Sequence, residues 1–141
     1  MIETRPLEAT DRARWEQLFR AYIGFYEREL SQTAYDRAWR EITSGARLHG
    51  LGAWLDGELV GAGAATPSSR GMLLWGGSVR EDARGRGCYR ALVRARWDEA
   101  VRRGTPALAV GAGPMSRPIL ERLGFVQVLE FRRLESVLSD A

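Results

Sequence analysis

The sequence predicts an α/β fold in which helices pack on a mixed sheet. Three observations carry that expectation. Trp15, Leu18, Phe19, Tyr22 and Tyr26 recur at helical spacing. Leu51, Ala53 and Leu55 alternate and run into Asp56-Gly57, the pattern of a β-hairpin. After the hairpin come strand, glycine-rich loop, helix, strand, helix and strand, an order that builds a sheet with helices on it.

Residues 2–7 form a short first strand that stops near Pro6. Thr10 or Asp11 then caps a helix over 11–29, whose aromatic face is buried. A second helix starts near Thr33, places Tyr35, Trp39 and Ile42 on one side, and stops at Gly45. The hairpin pairs 51–55 with 59–64, and Pro67-Ser68-Ser69-Arg70-Gly71 turns the chain into a fourth strand over 72–79. Inside that strand Gly76-Gly77 marks a bulge or a close backbone approach. A third helix runs from about Gly87 to Arg103. It has two apolar stripes, and Arg90, Arg94, Asp98 and Arg102 form a charged row between them. Residues 107–110 make a short buried strand, 116–123 a brief helix closed by Gly124, and 125–129 and 131–137 the last extended segments. No repeat, linker or low-complexity tract divides the chain, so 1–141 is expected to be a single domain.

Composition narrows the chemistry. Apolar residues make up 45% and charged residues 28%, which suits a globular domain. There is no apolar run of the ~20 residues that span a bilayer, and no signal peptide follows Met1, so a cytoplasmic protein without a membrane partner is expected. One Cys and one His exclude a disulfide framework and a metal site built from several such ligands. Every one of the 21 basic residues is Arg, which removes the P-loop and the pyridoxal Schiff base, since each needs a Lys. A net charge of +3, with acids interspersed, suits a small polyanion as well as nucleic acid. A nucleic-acid reading through Arg84, Arg86, Arg90, Arg94, Arg102 and Arg103 finds no recognisable reading helix, so no nucleic-acid partner is expected.

The chemistry concentrates where the fourth strand passes through a glycine-rich loop into the third helix. Free backbone N–H groups and the positive end of the helix dipole favour an anion there. Gly85 and Gly87 let the backbone close on it, and Arg84, Arg86 and Arg90 surround it with guanidinium groups. A plain turn with solvated Arg is the alternative. A dinucleotide fingerprint fails because its third glycine position is Arg90 and no long βαβαβ run follows.

The segment Val79-Arg80-Glu81-Asp82-Ala83-Arg84-Gly85-Arg86-Gly87-Cys88-Tyr89-Arg90-Ala91-Leu92 resembles the acetyl-CoA motif of the GNAT superfamily of N-acetyltransferases, Arg/Gln-x-x-Gly-x-Gly/Ala. Pro118-Ile119-Leu120-Glu121-Arg122-Leu123-Gly124-Phe125 is similar to the family's late helix, which ends in Gly-Phe. The resemblance implies a mostly antiparallel sheet of six to seven strands with about four helices, in the order β-α-α-β-β-β-α-β-α-β-β. It also implies acetyl-CoA as cosubstrate, no metal, a primary amine as acceptor, and a possible homodimer. Gly77, Ser78, Val79, Arg84, Gly85, Arg86, Gly87, Cys88, Tyr89 and Arg90 are the implied cofactor contacts, the pantetheine arm lying between the fourth and fifth strands. Three positions depart from the pattern. Tyr89 stands where Gly or Ala is usual, Leu120 where a Tyr protonates the departing thiolate, and Gly113 where an Asn is common.

The resemblance implies direct attack of the amine on the thioester in a ternary complex. That requires an oriented amine, a polarised carbonyl and a route for the proton. Glu29, with Glu27 beside it, lies where the first two helices meet and is the candidate base. Ser116 is the candidate thiolate acid, with helix capping as its alternative role. His49 is remote in sequence from the loop, and Cys88 fits a small packed residue better than a nucleophile. Leu120 also favours a second reading, a degenerate acyl-CoA-binding module or sensor.

Overall fold

The computed structural model describes residues 1–132, 134 and 136. They fall into two compact units, Met1–Gly111 and Ala112–Ala141.

The first unit is a five-stranded sheet in chain order. Strands β1 (Ile2–Pro6), β2 (His49–Leu55), β3 (Glu58–Pro67) and β4 (Met72–Val79) are antiparallel neighbours. Strand β5 (Leu108–Val110) lies parallel to β4, which it reaches through helix α3 (Cys88–Arg102). The period-2 pattern of the hairpin appears directly in its burial. Ala53 joins Val60, Val79, Ala83, Cys88 and Leu92 in a cluster on the α3 face. Its neighbour Trp54 joins Leu7, Trp15, Leu18, Trp39, Leu59 and Ala62 on the opposite face.

That opposite face is covered by α1 (Arg12–Phe25) and α2 (Gln32–Ser44). Trp15 stacks on Phe19 at 5.1 Å and tilts against Trp39 at the same distance, while Phe19 meets Tyr35 edge-on at 5.6 Å. Pairs of this kind add about 0.5–1.5 kcal/mol each beyond their buried area. Ser31 caps α2 by accepting from the Ala34 N–H at 3.2 Å.

Three expectations need correction. Helix α1 stops at Phe25 rather than 29, because the Tyr26 and Glu27 amides fold back onto Ile23 and Gly24 carbonyls and Glu27 takes φ of +56°. Asp11 stands at the N-cap position of α1, but its side chain makes no capping bond there. Its carboxylate turns back to accept from the Glu8 N–H and from Arg5, pinning the helix entry to β1. The sheet has five strands among the described residues, not six to seven. Residues 125–129 are apolar enough for a strand but pair with no ladder, and strand propensity is expressed only against a partner. The segment 131–137 falls partly outside the described residues.

In the second unit, α4 (Arg117–Arg122) has Pro118 in its first turn and an Arg117–Glu121 pair at 2.8 Å. The Phe125 N–H closes it onto the Leu120 carbonyl at 3.0 Å, which explains the Gly-Phe ending.

Candidate active site

Two irregularities in β4 shape the site. Ala62 pairs with Ser78 and Ala64 with Trp75, so the single residue Gly63 faces both Gly76 and Gly77. This is a β-bulge, made possible by Gly76 at φ of +53°. In addition, the parallel ladder ends at Leu74 and Val110. Residues 75–79 therefore run on with no ladder partner on the β5 side among the described residues.

Beyond Val79 the chain makes a short 3-10 turn, Glu81–Ala83, and then the glycine-rich loop. The Arg80 N–H binds the Val60 carbonyl at 2.7 Å, and Arg84 Nε returns to the Val79 carbonyl at 3.1 Å, so the turn that leads into the loop is held at both of its ends. Gly87 caps α3 with φ of +90°. The first helical bond runs from the Ala91 N–H to the Gly87 carbonyl, and the amides of Cys88, Tyr89 and Arg90 lie ahead of it at the positive helix end. Arg84, Gly85, Arg86, Gly87 and Arg90 are exposed around these amides, as an anion site requires.

Tyr89 turns inward. Its ring lies under Gly77, where a Cβ would approach Tyr89 Cε2 to 3.2 Å. Burial pushes its phenol upward from the ordinary tyrosine range. Cys88 is fully buried in the α3-face cluster, and burial raises its thiol likewise.

Arg96 was missed by the sequence pattern. It is 1% exposed and has no carboxylate partner among the described residues. Nε donates to the Leu92 carbonyl and Nη1 to the Ala64 carbonyl, each at 3.1 Å. A Cβ at Gly63 would come within 3.0 Å of Nη1, and one at Gly77 within 3.3 Å of Nη2. The guanidinium thus occupies room that two glycines leave beneath the bulge. Burial lowers its pKa to about 10, which keeps it charged at neutral pH. The only clue in the sequence was the pairing of Arg96 with Tyr89, two turns apart on one face.

On the other face of the bulge, α1, α2, β3 and β4 enclose a cavity of about 500 Å³. Trp15, Phe19, Trp75, Gly76 and Ser78 line it, together with Arg37 and Glu41 from α2. Trp75 Nε1 donates to Thr66 Oγ1 at 2.7 Å, which fixes that wall. Glu29 sits on the exposed connection after α1, and neither it nor Glu27 contributes to the lining. His49 also lies outside the lining, with Nε2 at 2.8 Å from Arg103 Nη2, and burial followed by that cation lowers its pKa. Ser116 stands at the N-terminus of α4 in the second unit, without a side-chain capping bond.

A glycine-capped helix start, reached from a bulged strand whose parallel ladder ends early, coincides with a match of residues 15–125 to the acetyltransferase (GNAT) family. The chain belongs to the GNAT family. No curated protein sequence matches it. Among solved structures, this GNAT chain is similar to the aminoglycoside N-acetyltransferase AAC(6')-Iy, solved with the bisubstrate analogue CoA-S-monomethyl-acetylneamine. The identity is 20%, the TM-score 0.83, and 98% of this chain and 99% of that chain are covered. The aminoglycoside 6'-N-acetyltransferase AAC(6')-Ih from Acinetobacter baumannii is 16% identical with a TM-score of 0.80, over 99% and 100% of the two chains. A predicted acetyltransferase from Clostridium acetobutylicum, solved with acetyl-CoA, is 16% identical with a TM-score of 0.75, over 96% of each chain. At these identities the likeness is one of fold.

Proposed function

We propose that the chain transfers an acetyl group from acetyl-CoA to a primary amine by direct attack within a ternary complex. The observation that carries this reading is the set of amides at the start of α3, ringed by Arg84, Arg86 and Arg90. A coenzyme A pyrophosphate would take its hydrogen bonds from them. The pantetheine arm would then follow the edge of β4 at Gly77, Ser78 and Val79, where the β5-facing backbone groups have no ladder partner among the described residues. Cys88 would contribute its amide and not its buried thiol.

The amine enters from the cavity on the other face and meets the thioester at the bulge. For the proton, Glu29 as base and Ser116 as thiolate acid are part of the proposal, and Glu41 joins them because its carboxylate lines the cavity. The proposal treats 1–141 as one N-acetyltransferase domain, in keeping with a family match that runs past Gly111 into the second unit. A cytoplasmic place of action belongs to it too, and no helix among the described residues is long and apolar enough to cross a membrane.

Leu120, which has no proton to give, favours the second reading of a coenzyme A sensor. Two measurements separate them. Coenzyme A raises the melting temperature under either reading, because the folded state alone binds it. Release of free thiol from acetyl-CoA in the presence of amines is expected only of the enzyme. An unchanged melting temperature at millimolar coenzyme A would sink both.

A further inference from the structure

The cavity between α1, α2 and the bulge carries a second message, which rests on the acetyl-transfer reading and gives the acceptor a chemical class. Its volume of about 500 Å³ suits a small molecule. Among its lining residues Arg37 and Glu41 are the charged ones. They stand one turn apart on α2, so both charges point from the same helix face. Neither side chain has an ion-pair partner among the described residues, not even the other, although only three residues separate them on α2. The remaining walls are mostly apolar and aromatic, with Trp15, Phe19 and the hydrogen-bonded Trp75, and carry the uncharged hydroxyl residues Ser31, Thr33 and Ser78.

A polycation finds one carboxylate here, offset by a guanidinium, and gains little. An apolar monoamine leaves Arg37 without a counter-charge. A free α-amino acid uses the whole arrangement, since its ammonium and carboxylate are adjacent and opposite. We infer that the acceptor is a free aromatic α-amino acid, with its ammonium at Glu41, its carboxylate forked on Arg37 and its ring against Trp75. The ammonium gives one proton to Glu41 and the freed amine attacks the thioester carbonyl. The C–N bond forms, the C–S bond breaks, and the departing sulfur takes the second proton from nitrogen. The products are an N-acetylamino acid, coenzyme A thiol and one released proton.

Calorimetry on the protein saturated with coenzyme A tests this without turnover. L-phenylalanine is expected to bind about tenfold or more tightly than L-phenylalaninamide, which lacks the carboxylate charge, and spermidine more weakly still. Arg37→Met should erase the gap between phenylalanine and its amide, and Arg37→Lys should restore part of it. Trp75→Ala should weaken phenylalanine by about tenfold, and both side chains are exposed enough for the variants to fold. The inference is overturned if the amide or spermidine binds as well as phenylalanine, if none of the three binds, or if Arg37→Met leaves the gap intact. Binding as expected without thiol release from acetyl-CoA would keep the pocket assignment and remove the acetyl-transfer reading instead.

Discussion

Gly87 enters α3 at φ of +90°, a conformation that costs a side chain about 1–3 kcal/mol. Space is not the obstacle, since a Cβ would find only Ile2 Cδ1 at 3.5 Å. Gly87→Glu therefore combines backbone strain with a negative charge at the proposed phosphate cradle. Coenzyme A binding by calorimetry should be lost, and unchanged affinity would refute the placement. Arg96 poses the opposite problem, a charge kept where burial penalises it. We expect Arg96→Met to leave the melting temperature level or higher, because a methionine side chain fills the space without a charge to desolvate. Turnover should nevertheless fall about tenfold or more, since the Ala64 carbonyl loses the donor that braces the bulge. Arg96→Lys should recover part of that loss. A methionine variant with full activity would show that Arg96 does not position the site.

Among the elements, the entry to α1 depends on pH in a definite direction. Arg5 holds Asp11 through two bonds of 2.9 and 3.1 Å, and the Glu8 amide adds a third at 2.8 Å. The Arg5 bond leads in depressing the Asp11 carboxyl below the usual carboxylate range. The unfolded chain therefore takes up its proton first as pH falls, and the stabilisation is complete above the unfolded value of about 3.9 and lost as pH drops through the folded value. Asp11→Asn should cost about 1–3 kcal/mol at neutral pH by chemical denaturation. The gap from wild type should close in acid, and a gap constant down to strong acid would contradict the assignment. At this scale the sequence was a good guide wherever one period dominated. Alternation at Leu51, Ala53 and Leu55 located the hairpin, and the run from Trp15 to Tyr22 located the body of α1. The end of α1 was hidden because Glu27, not a glycine, takes the left-handed conformation there.

For the molecule as a whole, the site draws on residues that meet only through the tertiary structure. Arg96 looks like one more solvated Arg in an Arg-rich helix, because its burial comes from Gly63 and Gly77 on two other strands. Glu41 sits beside Ile42 at the border of the α2 apolar face, and only the enclosure by β3 and β4 makes it a cavity residue. The glycine-rich loop was legible because strand, loop and helix are contiguous in sequence. A phosphate held mainly by exposed Arg and backbone dipoles is screened by salt. Coenzyme A affinity should thus fall about tenfold between about 0.1 and 1 M salt, where the Debye length shrinks from about 10 to about 3 Å. An affinity indifferent to salt would favour a contact dominated by burial. The bulge carries one more consequence. Trp75 and Ser78 line the same cavity although three positions separate them, because the extra glycine absorbs the odd step. Deleting Gly76 would leave those side chains facing as they do now and give β4 an unbroken pleat. Under the proposed acetyl-transfer reading, such a shortened protein would be a more regular sheet with its doorway sealed, a scaffold and no longer a catalyst.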